Sequence, residues 1–456
     1  SVADLTGLCD ALAALQRIEQ GSSDVADFEA LGERWQLREH LQAELERMQL
    51  HGVSAAMPAC RLSGGQRMRV ALAGAFLSDA DFLVLDEPSN HLDAAGRQLL
   101  REQLRRWPRG LLVVSHDREL LGDMQRIVEL SALGLRSHGG NYDHYAARSS
   151  EERRLAADTL QQRRHERRQG ERALREQQEQ RERRATRGDR QAAHANQAPI
   201  LLGRQKQRAQ ASAGKAQLQQ QQQRARLDEQ VRQAAAQVDA AAPVVLLPAV
   251  DAGPAPARVA VLQDVVLPFV DGPLARIDLL LGRGERLALT GRNGSGKSVL
   301  LQVLAGRLPA RGGRVQVNAP HAWLDQHLSL PLPQATALEQ LRHAGPSTGE
   351  AELRTRLALL GLDAGHAGQP VAALSGGERM KLALACALYA QPPAQLLLLD
   401  EPANHLDLEA MQALEAMLRQ WPGTLLVAAH DEAFLHGIGI TGRLHAGAGG
   451  WCRLPP

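Results

Sequence analysis

Leu85-Asp86-Glu87-Pro88-Ser89-Asn90-His91-Leu92-Asp93 returns later in the chain as Leu399-Asp400-Glu401-Pro402-Ala403-Asn404-His405-Leu406-Asp407. Outward from this stretch, Trp107-Pro108 returns as Trp421-Pro422 and His116-Asp117 as His430-Asp431. Positions 400 against 86, 421 against 107 and 430 against 116 all differ by 314. Upstream, Leu62-Ser63-Gly64-Gly65-Gln66-Arg67-Met68 returns as Leu374-Ser375-Gly376-Gly377-Glu378-Arg379-Met380. Self-similarity of this kind marks a duplicated module. The carboxylates Asp400-Glu401 close a short apolar run that reads as a buried strand. Strands alternating with helices around each motif predict an α/β fold with mainly parallel sheets.

The second copy carries a phosphate-binding pattern. Gly291-Arg292-Asn293-Gly294-Ser295-Gly296-Lys297-Ser298 fits G-x-x-x-x-G-K-[ST], between a strand-like run (286–290) and a helix-like run (299–304). Glycines let successive N–H groups turn inward, and the following helix offers its positive end to the same anion. Lys297 is expected to reach the β/γ-phosphates, and the Ser298 hydroxyl to ligate Mg²⁺. Only four of the 53 basic residues are lysines (Lys206, Lys215, Lys297 and Lys381). One kept in an arginine-rich chain suits a cradle that needs a compact point charge.

Downstream, Asp400 at a strand end is placed to hold the Mg²⁺ shell, and Glu401 to orient or deprotonate an attacking water. A second strand-like run, 424–429, ends in His430, a candidate sensor of the γ-phosphate. A lone histidine there reads first as a core residue, but its recurrence at the same distance in both copies favours function. Gln326 closes a strand-like segment at 314–325 and is a candidate link between the metal and a moving subdomain. Each copy also shows a helical subdomain, marked by Leu37, Leu41, Leu45 and Met48 in the first and by Leu353, Leu357 and Leu360 in the second.

The phosphate pattern, the LSGGQ and LSGGE segments, the apolar strands ending in Asp-Glu-Pro and the following histidines together resemble ATP-binding cassettes. Two such modules, Asn-His-Leu-Asp after each Asp-Glu-Pro, a charged linker and the Gly140-Asn141-Tyr142-Asp143-His144-Tyr145 element resemble the ABC-F subfamily. The resemblance covers nearly the whole chain. It implies two P-loop cassettes with helical subdomains, packed head to tail within one monomer, each ATP lying between one P-loop and the other cassette's signature. One composite site then pairs 291–298, Gln326, Asp400, Glu401 and His430 with Ser63, Gly64, Gly65, Gln66 and Asp93. The other has Asp86 as a metal ligand, Glu87 and His116 as catalytic residues, and Ser375, Gly376, Gly377 and Glu378, but no phosphate cradle. Lys297 precedes Ser375 by 78 residues, and the same step back from Ser63 falls about 15 residues before Ser1. The first P-loop is therefore expected to lie off the given N-terminus, where an initiator Met is also absent. Gln16 lies in a helix-like run and is not taken as the missing Gln-loop residue. For the adenine, Phe269 is the nearest aromatic upstream, with core packing at least as good a reading.

Domain boundaries are expected at 1–148 for the first cassette, 149–242 for a basic α-helical hairpin linker and 243–456 for the second cassette. Residues 151–240 hold 20 Lys+Arg, 12 Asp+Glu and 20 Gln, and no aromatic lies between Tyr145 and Phe269. Helix formers dominate 151–187 and 215–242, and a tip is expected within 192–214, around Pro199-Ile200-Leu201-Leu202-Gly203. Leu227, Val231, Ala234, Ala235 and Val238 trace a thin apolar stripe on the second helix. A solvated charged linker remains the alternative to a functional hairpin.

The linker's charge of +8 against +2 for the whole chain leaves −6 on the two cassettes, so attraction to nucleic acid is concentrated in the hairpin. Without aromatics it favours RNA backbone and shape over base stacking. The resemblance implies clamping on the ribosome, with the hairpin reaching toward tRNA and modulating translation or antibiotic sensitivity. A transporter's ATPase subunit, or a cassette ATPase acting on branched DNA, remain alternatives.

Apolar residues make up 44% of the 456, enough for several cores. The longest apolar stretches (243–250 and 396–399) fall far short of the ~20 residues that span a bilayer. Cys9, Cys60, Cys386 and Cys452 show no metal or disulfide spacing. A soluble, cytoplasmic protein with no membrane partner is expected.

Overall fold

The computed structural model describes residues 1–131, 134–194, 199–237, 255–326, 328, 330–362, 364–404 and 406–455. Val238, the apolar stretch 243–250 and His405 of the repeated motif lie outside them. Contacts divide the chain into one unit of Ser1–Asp123 with Pro243–Pro456 and another of Met124–Ala242.

In the first unit, the first copy opens with helices α1 (Val2–Thr6), α2 (Cys9–Glu19), α3 (Val25–Leu31) and α4 (Leu37–Arg47). Leu37, Leu41, Leu45 and Met48 are buried, as their spacing predicts. Gln16 is an exposed residue of α2. Then come α5 (Gly64–Phe76), β1 (Phe82–Asp86), α6 (Ala94–Arg106), β2 (Gly110–Val114) and α7 (Arg118–Gly122). β1 and β2 pair in parallel, placing Asp86 beside Val114 at the carboxyl ends of the strands.

The second unit holds an antiparallel hairpin, β3 (Arg126–Ser131) with β4 (Gly134–Gly139), and two long helices, α8 (Tyr142–His194) and α9 (Pro199–Gln237). The helices run further than their composition suggests, so much of the expected tip at 192–214 is helical. α8 has little apolar surface and is laced instead by ion pairs one turn apart, Glu151–Arg154, Arg163–Glu166 and Arg167–Glu171. Of the stripe on α9, Ala234 is buried, Leu227 and Val231 are half-buried, and Ala235 is exposed. Gly170 on α8 admits the Leu227 side chain, and Arg167 lies 3.6 Å from Asp228.

Back in the first unit, the second copy begins with β5 (Arg258–Val266), β6 (Arg276–Gly282), β7 (Arg286–Gly291), α10 (Lys297–Leu304), β8 (Gly312–Val317) and β9 (His321–Leu324). The segment read as one strand at 314–325 is two. β8 joins an antiparallel sheet of order β6-β5-β8, whereas β9 joins the main sheet. Pro320 intervenes, and with no N–H it cannot carry a ladder across. Helices α11 (Ala337–Ala344), α12 (Glu350–Leu359) and α13 (Ala364–Ala367) follow, with Leu353, Leu357 and Leu360 buried.

The copy closes with α14 (Gly376–Leu388), β10 (Leu396–Asp400), α15 (Leu408–Gln420), β11 (Thr424–Ala428), α16 (Glu432–Gly437), β12 (Gly442–Gly447) and β13 (Gly450–Leu454). The main sheet runs β13-β12-β7-β11-β10-β9, with every pairing parallel except β12–β13.

The two copies differ in what covers their central strands. Leu396, Leu398, Leu426 and Ala428 are fully buried against β7 and α10, in a core with Leu287, Leu289, Leu300 and Leu301. Their first-copy counterparts Phe82, Val84, Leu112 and Val114 are about half exposed, at 56, 64, 47 and 50%. Among the described residues, no helix is long and apolar enough to cross a membrane.

Candidate functional site

The loop from β7 to α10 turns on glycines. Gly296 caps α10 at φ 95°, and a Cβ there would lie 2.8 Å from the Val270 side chain, so both conformation and space require glycine. Lys297 is buried and donates from Nζ to the carbonyls of Gly291 at 2.9 Å and Arg292 at 3.1 Å. Burial pulls its pKa down, opposed by Glu401, Asp93 and Asp400.

Ser298 Oγ donates to Asp400 Oδ1 at 3.0 Å. Burial raises the Asp400 pKa; the Ser298 donor opposes the shift and the neighbouring Glu401 adds to it. Glu401 has a left-handed backbone, φ 50°, with its N–H donated to the Ala428 carbonyl at 2.8 Å. The turn lifts its carboxylate off the strand end, where Asn404 Nδ2 donates to Oε2 at 2.8 Å and His430 Nε2 lies 3.4 Å from Oε1. Burial drives the His430 pKa down to about 3, helped by the charges of Lys297 and Arg97 and opposed by Asp93. The ring is therefore neutral, and its Nε2 also lies 3.1 Å from Asn293 Oδ1.

The first copy closes this site from the other side. Asp93 caps α6 by accepting from the Gly96 N–H at 3.0 Å, and its second oxygen accepts from the Asn293 N–H at 3.3 Å. Burial would raise the Asp93 pKa, but the Gly96 and Asn293 N–H groups and the charge of Arg69 together hold it low. Asn293 Nδ2 donates to the His91 carbonyl at 2.8 Å. Ser63 and Gln66 cap α5 reciprocally, which leaves the helix start facing the loop. Gly65 sits so close to His91 that a Cβ would lie 2.6 Å from its carbonyl oxygen.

Ser63, Gly64 and Gly65 thus share one cavity of about 370 Å³ with Gly294, Gly296, Lys297, Ser298, Gln326, Glu401 and His430. Arg292 and Gln66 border an adjoining cleft with Asp93, and Ser295 is buried in the loop. Phe269 opens onto the main cavity, 77% exposed at φ 60°, with the Arg311 guanidinium 6.0 Å from its ring. The core-packing reading of Phe269 is therefore wrong.

Asp86 and Glu87 end β1 in the same way. Glu87 has φ 45°, donates its N–H to the Val114 carbonyl at 2.8 Å, and lies 3.4 Å from His116 Nε2. Burial raises its pKa, opposed by His116. Ser375 and Glu378 form the same capping box on α14, and His366 lies 3.1 Å from Glu378. Ser375, Gly376, Gly377 and Glu378 line neither cavity named here.

One feature escaped the sequence reading. Glu87 and His116 open onto the same cavity, about 260 Å³, as Glu401, Asn404 and His430. The repeated Asn-His-Leu-Asp motif held the signal for Asn404 and its counterpart Asn90, which both line it.

A family model described as ABC transporter matches residues 9–90 and 274–404. The chain is 32% identical to ABC transporter F family member 3 of Arabidopsis thaliana, across 82% of this chain and 48% of that protein. It is likewise 32% identical to the ribosome protection protein VmlR of Bacillus subtilis, across 82% of this chain and 66% of that one. The chain thus spans between about half and two thirds of the length of these relatives. Among solved structures, an archaeal ribosome recycling factor in complex with the ribosomal stalk protein aP1 shares the fold, with TM-score 0.55 and 20% identity over 91% of this chain and 68% of that one.

Proposed function

The chain belongs to the ABC-F type of ATP-binding cassette proteins, and from that premise we propose that it is an ATP hydrolase whose cassettes close around ATP while it is bound to the ribosome. The observation that carries this reading is the junction at Asn293. It ties the phosphate loop to Asp93 and His91 of the other cassette, so a nucleotide on that loop bears on both halves at once.

The donor set fits a magnesium ion. Ser298 Oγ and Asp400 Oδ1 offer hard oxygens 3.0 Å apart, and Gln326 borders the same cavity as Ser298. These three residues would hold Mg²⁺, with Asp86 the counterpart of Asp400 in the first copy. When bound, the ion neutralises charge on the β- and γ-phosphate oxygens. Loop N–H groups of 291–298 receive the phosphates, and Lys297 turns from its two carbonyl partners to the β/γ oxygens. Ser63, Gly64, Gly65 and Gln66 meet the γ-phosphate from the opposite side. Glu401, oriented by Asn404, takes the proton of the attacking water. Neutral His430, with its proton on Nε2, exchanges its Asn293 partner for a phosphate oxygen. Phe269 stacks the adenine.

On the ribosome, the basic hairpin of α8 and α9 contacts RNA phosphates and reaches toward tRNA, modulating translation or antibiotic sensitivity in the cytoplasm. The relative named as a ribosome protection protein supports this partner. Ribosome pelleting with ATP tests it, with the chain compared to its Glu401→Gln variant. Stronger, salt-sensitive co-sedimentation of the variant is expected. Equal absence from the pellet in variants that still bind ATP would remove the ribosome from the reading and leave the ATP site.

A further inference from the structure

The two copies exchange charge at two positions. Under the offset of 314, Arg118 corresponds to Glu432 and Arg101 to Glu415. One reversal alone would set like charges against each other, but two together preserve an opposite-charge pair. One such pair is formed across the cassette boundary: Arg118 Nη1 at the start of α7 lies 2.9 Å from Glu415 Oε1 on α15, with only about 15% of each side chain exposed. In a two-fold pairing of like halves, a contact of i with j has a counterpart of j with i. The mate of Arg118–Glu415 is therefore Arg101–Glu432.

That mate is not formed, yet its partners line one cavity of about 310 Å³, together with Arg97, Asp117, His430 and Asp431. Each is held by its own cassette. Arg101 Nε lies 2.8 Å from Asp123 and its Nη1 binds Glu119, while Glu432 takes both terminal nitrogens of Arg443 at 2.6 and 2.7 Å. These partners do not use up either group. A guanidinium has five N–H donors, and each carboxylate oxygen accepts twice. Arg101 commits three of its five N–H groups, to Asp123 and Glu119, and Glu432 accepts one bond on each oxygen, so donor and acceptor capacity remains on both.

Resting on the ATP-site reading above, we infer that Arg101 and Glu432 form a second cross-cassette ion pair as that site closes. Arg101 is then a positioning residue acting in trans. Glu432 opens α16 just beyond His430, and Arg101 lies on α6, whose cap Asp93 holds Asn293. The pair fastens the two elements that already meet at the phosphate loop. On the opposite face, Gly437 and Ala433 stand where Asp123 and Glu119 do, so neither of those positions sets a second carboxylate against Glu415. A Cβ on Gly437 would lie 2.8 Å from the Glu415 carboxyl carbon, so that glycine leaves the carboxylate room. One pair is thus formed in advance, and the other joins on closure.

Charge reversal in the full chain tests this. Arg101→Glu, Glu432→Arg and the double variant are compared by steady-state ATP hydrolysis and by equilibrium binding of a fluorescent ATP analogue. Each single change is expected to raise KM and weaken binding about tenfold with kcat little altered, and the double variant to recover most of the loss. Arg101→Gln with Glu432→Gln provides the same cycle without reversed charges should the first set fail to fold. Additive losses with no recovery, in a chain whose wild type binds and hydrolyses ATP, would overturn the pair. A wild type that neither binds nor hydrolyses ATP would overturn the site reading, and the pair's role with it.

Discussion

Asn293 donates its backbone N–H to the Asp93 carboxylate at 3.3 Å, joining residues 200 positions apart in the chain. The other oxygen of Asp93 caps α6, so one side chain serves both helix and interface. Substitution can separate these roles. Asp93→Asn keeps a capping oxygen but loses the charge toward Asn293, so thermal stability should stay near wild type while ATP binding weakens several-fold. Asp93→Ala should lose the cap as well, at about 1 kcal/mol. Equal melting temperatures for the two variants would refute the capping role.

Glu401 and Glu87 share the same left-handed turn and the same 3.4 Å approach to a histidine, but Lys297 and Ser298 stand beside Glu401 alone. Glu401→Gln should lower ATP hydrolysis by about 10²–10⁴-fold with nucleotide binding retained. Glu87→Gln should have a much smaller effect, transmitted through the shared cavity. Single-turnover assays distinguish the two, and comparable losses would show that both carboxylates act on one nucleotide.

The cradle, its strands and its carboxylates were legible because each is set by residues adjacent in the chain. Glycines at 291, 294 and 296, a β-to-α switch at Lys297 and a strand ending in Asp400 all appear in local spacing. Helix 37–47 was legible for the same reason, through its apolar period. What was not legible depends on distant contacts or on single backbone angles. Phe269 admits both an adenine-facing and a core reading in the sequence, and only its exposure and positive φ decide against the core. The break between β8 and β9 separates two sheets, and only their pairing shows this. That two Glu–His pairs meet in one cavity follows from the packing of the copies, which no periodicity encodes.

The bare faces of β1 and β2 predict uneven stability. Leu398 is fully buried, so Leu398→Ala should cost about 2–5 kcal/mol, whereas its counterpart Val84 is 64% exposed and Val84→Ala should cost under about 1 kcal/mol. Amide hydrogen exchange should likewise be faster in 82–86 and 110–114 than in 396–400 and 424–428. Equal protection in the two copies would mean that another surface covers the first.

His430 makes stability depend on pH with a definite sign. Its pKa falls from an ordinary 6.5 to about 3 in the folded chain, mainly through burial. The unfolded chain therefore takes up a proton below pH 6.5 that the folded chain refuses until near pH 3. The contribution is complete above 6.5 and is lost as pH falls through that window, by up to about 1.4 kcal/mol per unit. His430→Asn removes the titration while keeping a polar side chain opposite Asn293. Denaturant melts at pH 7.5, 6 and 5 should show the wild type losing stability more steeply than the variant, with the difference growing toward pH 5. Parallel losses in both would mean that His430 is protonated as readily in the folded chain as in the unfolded one.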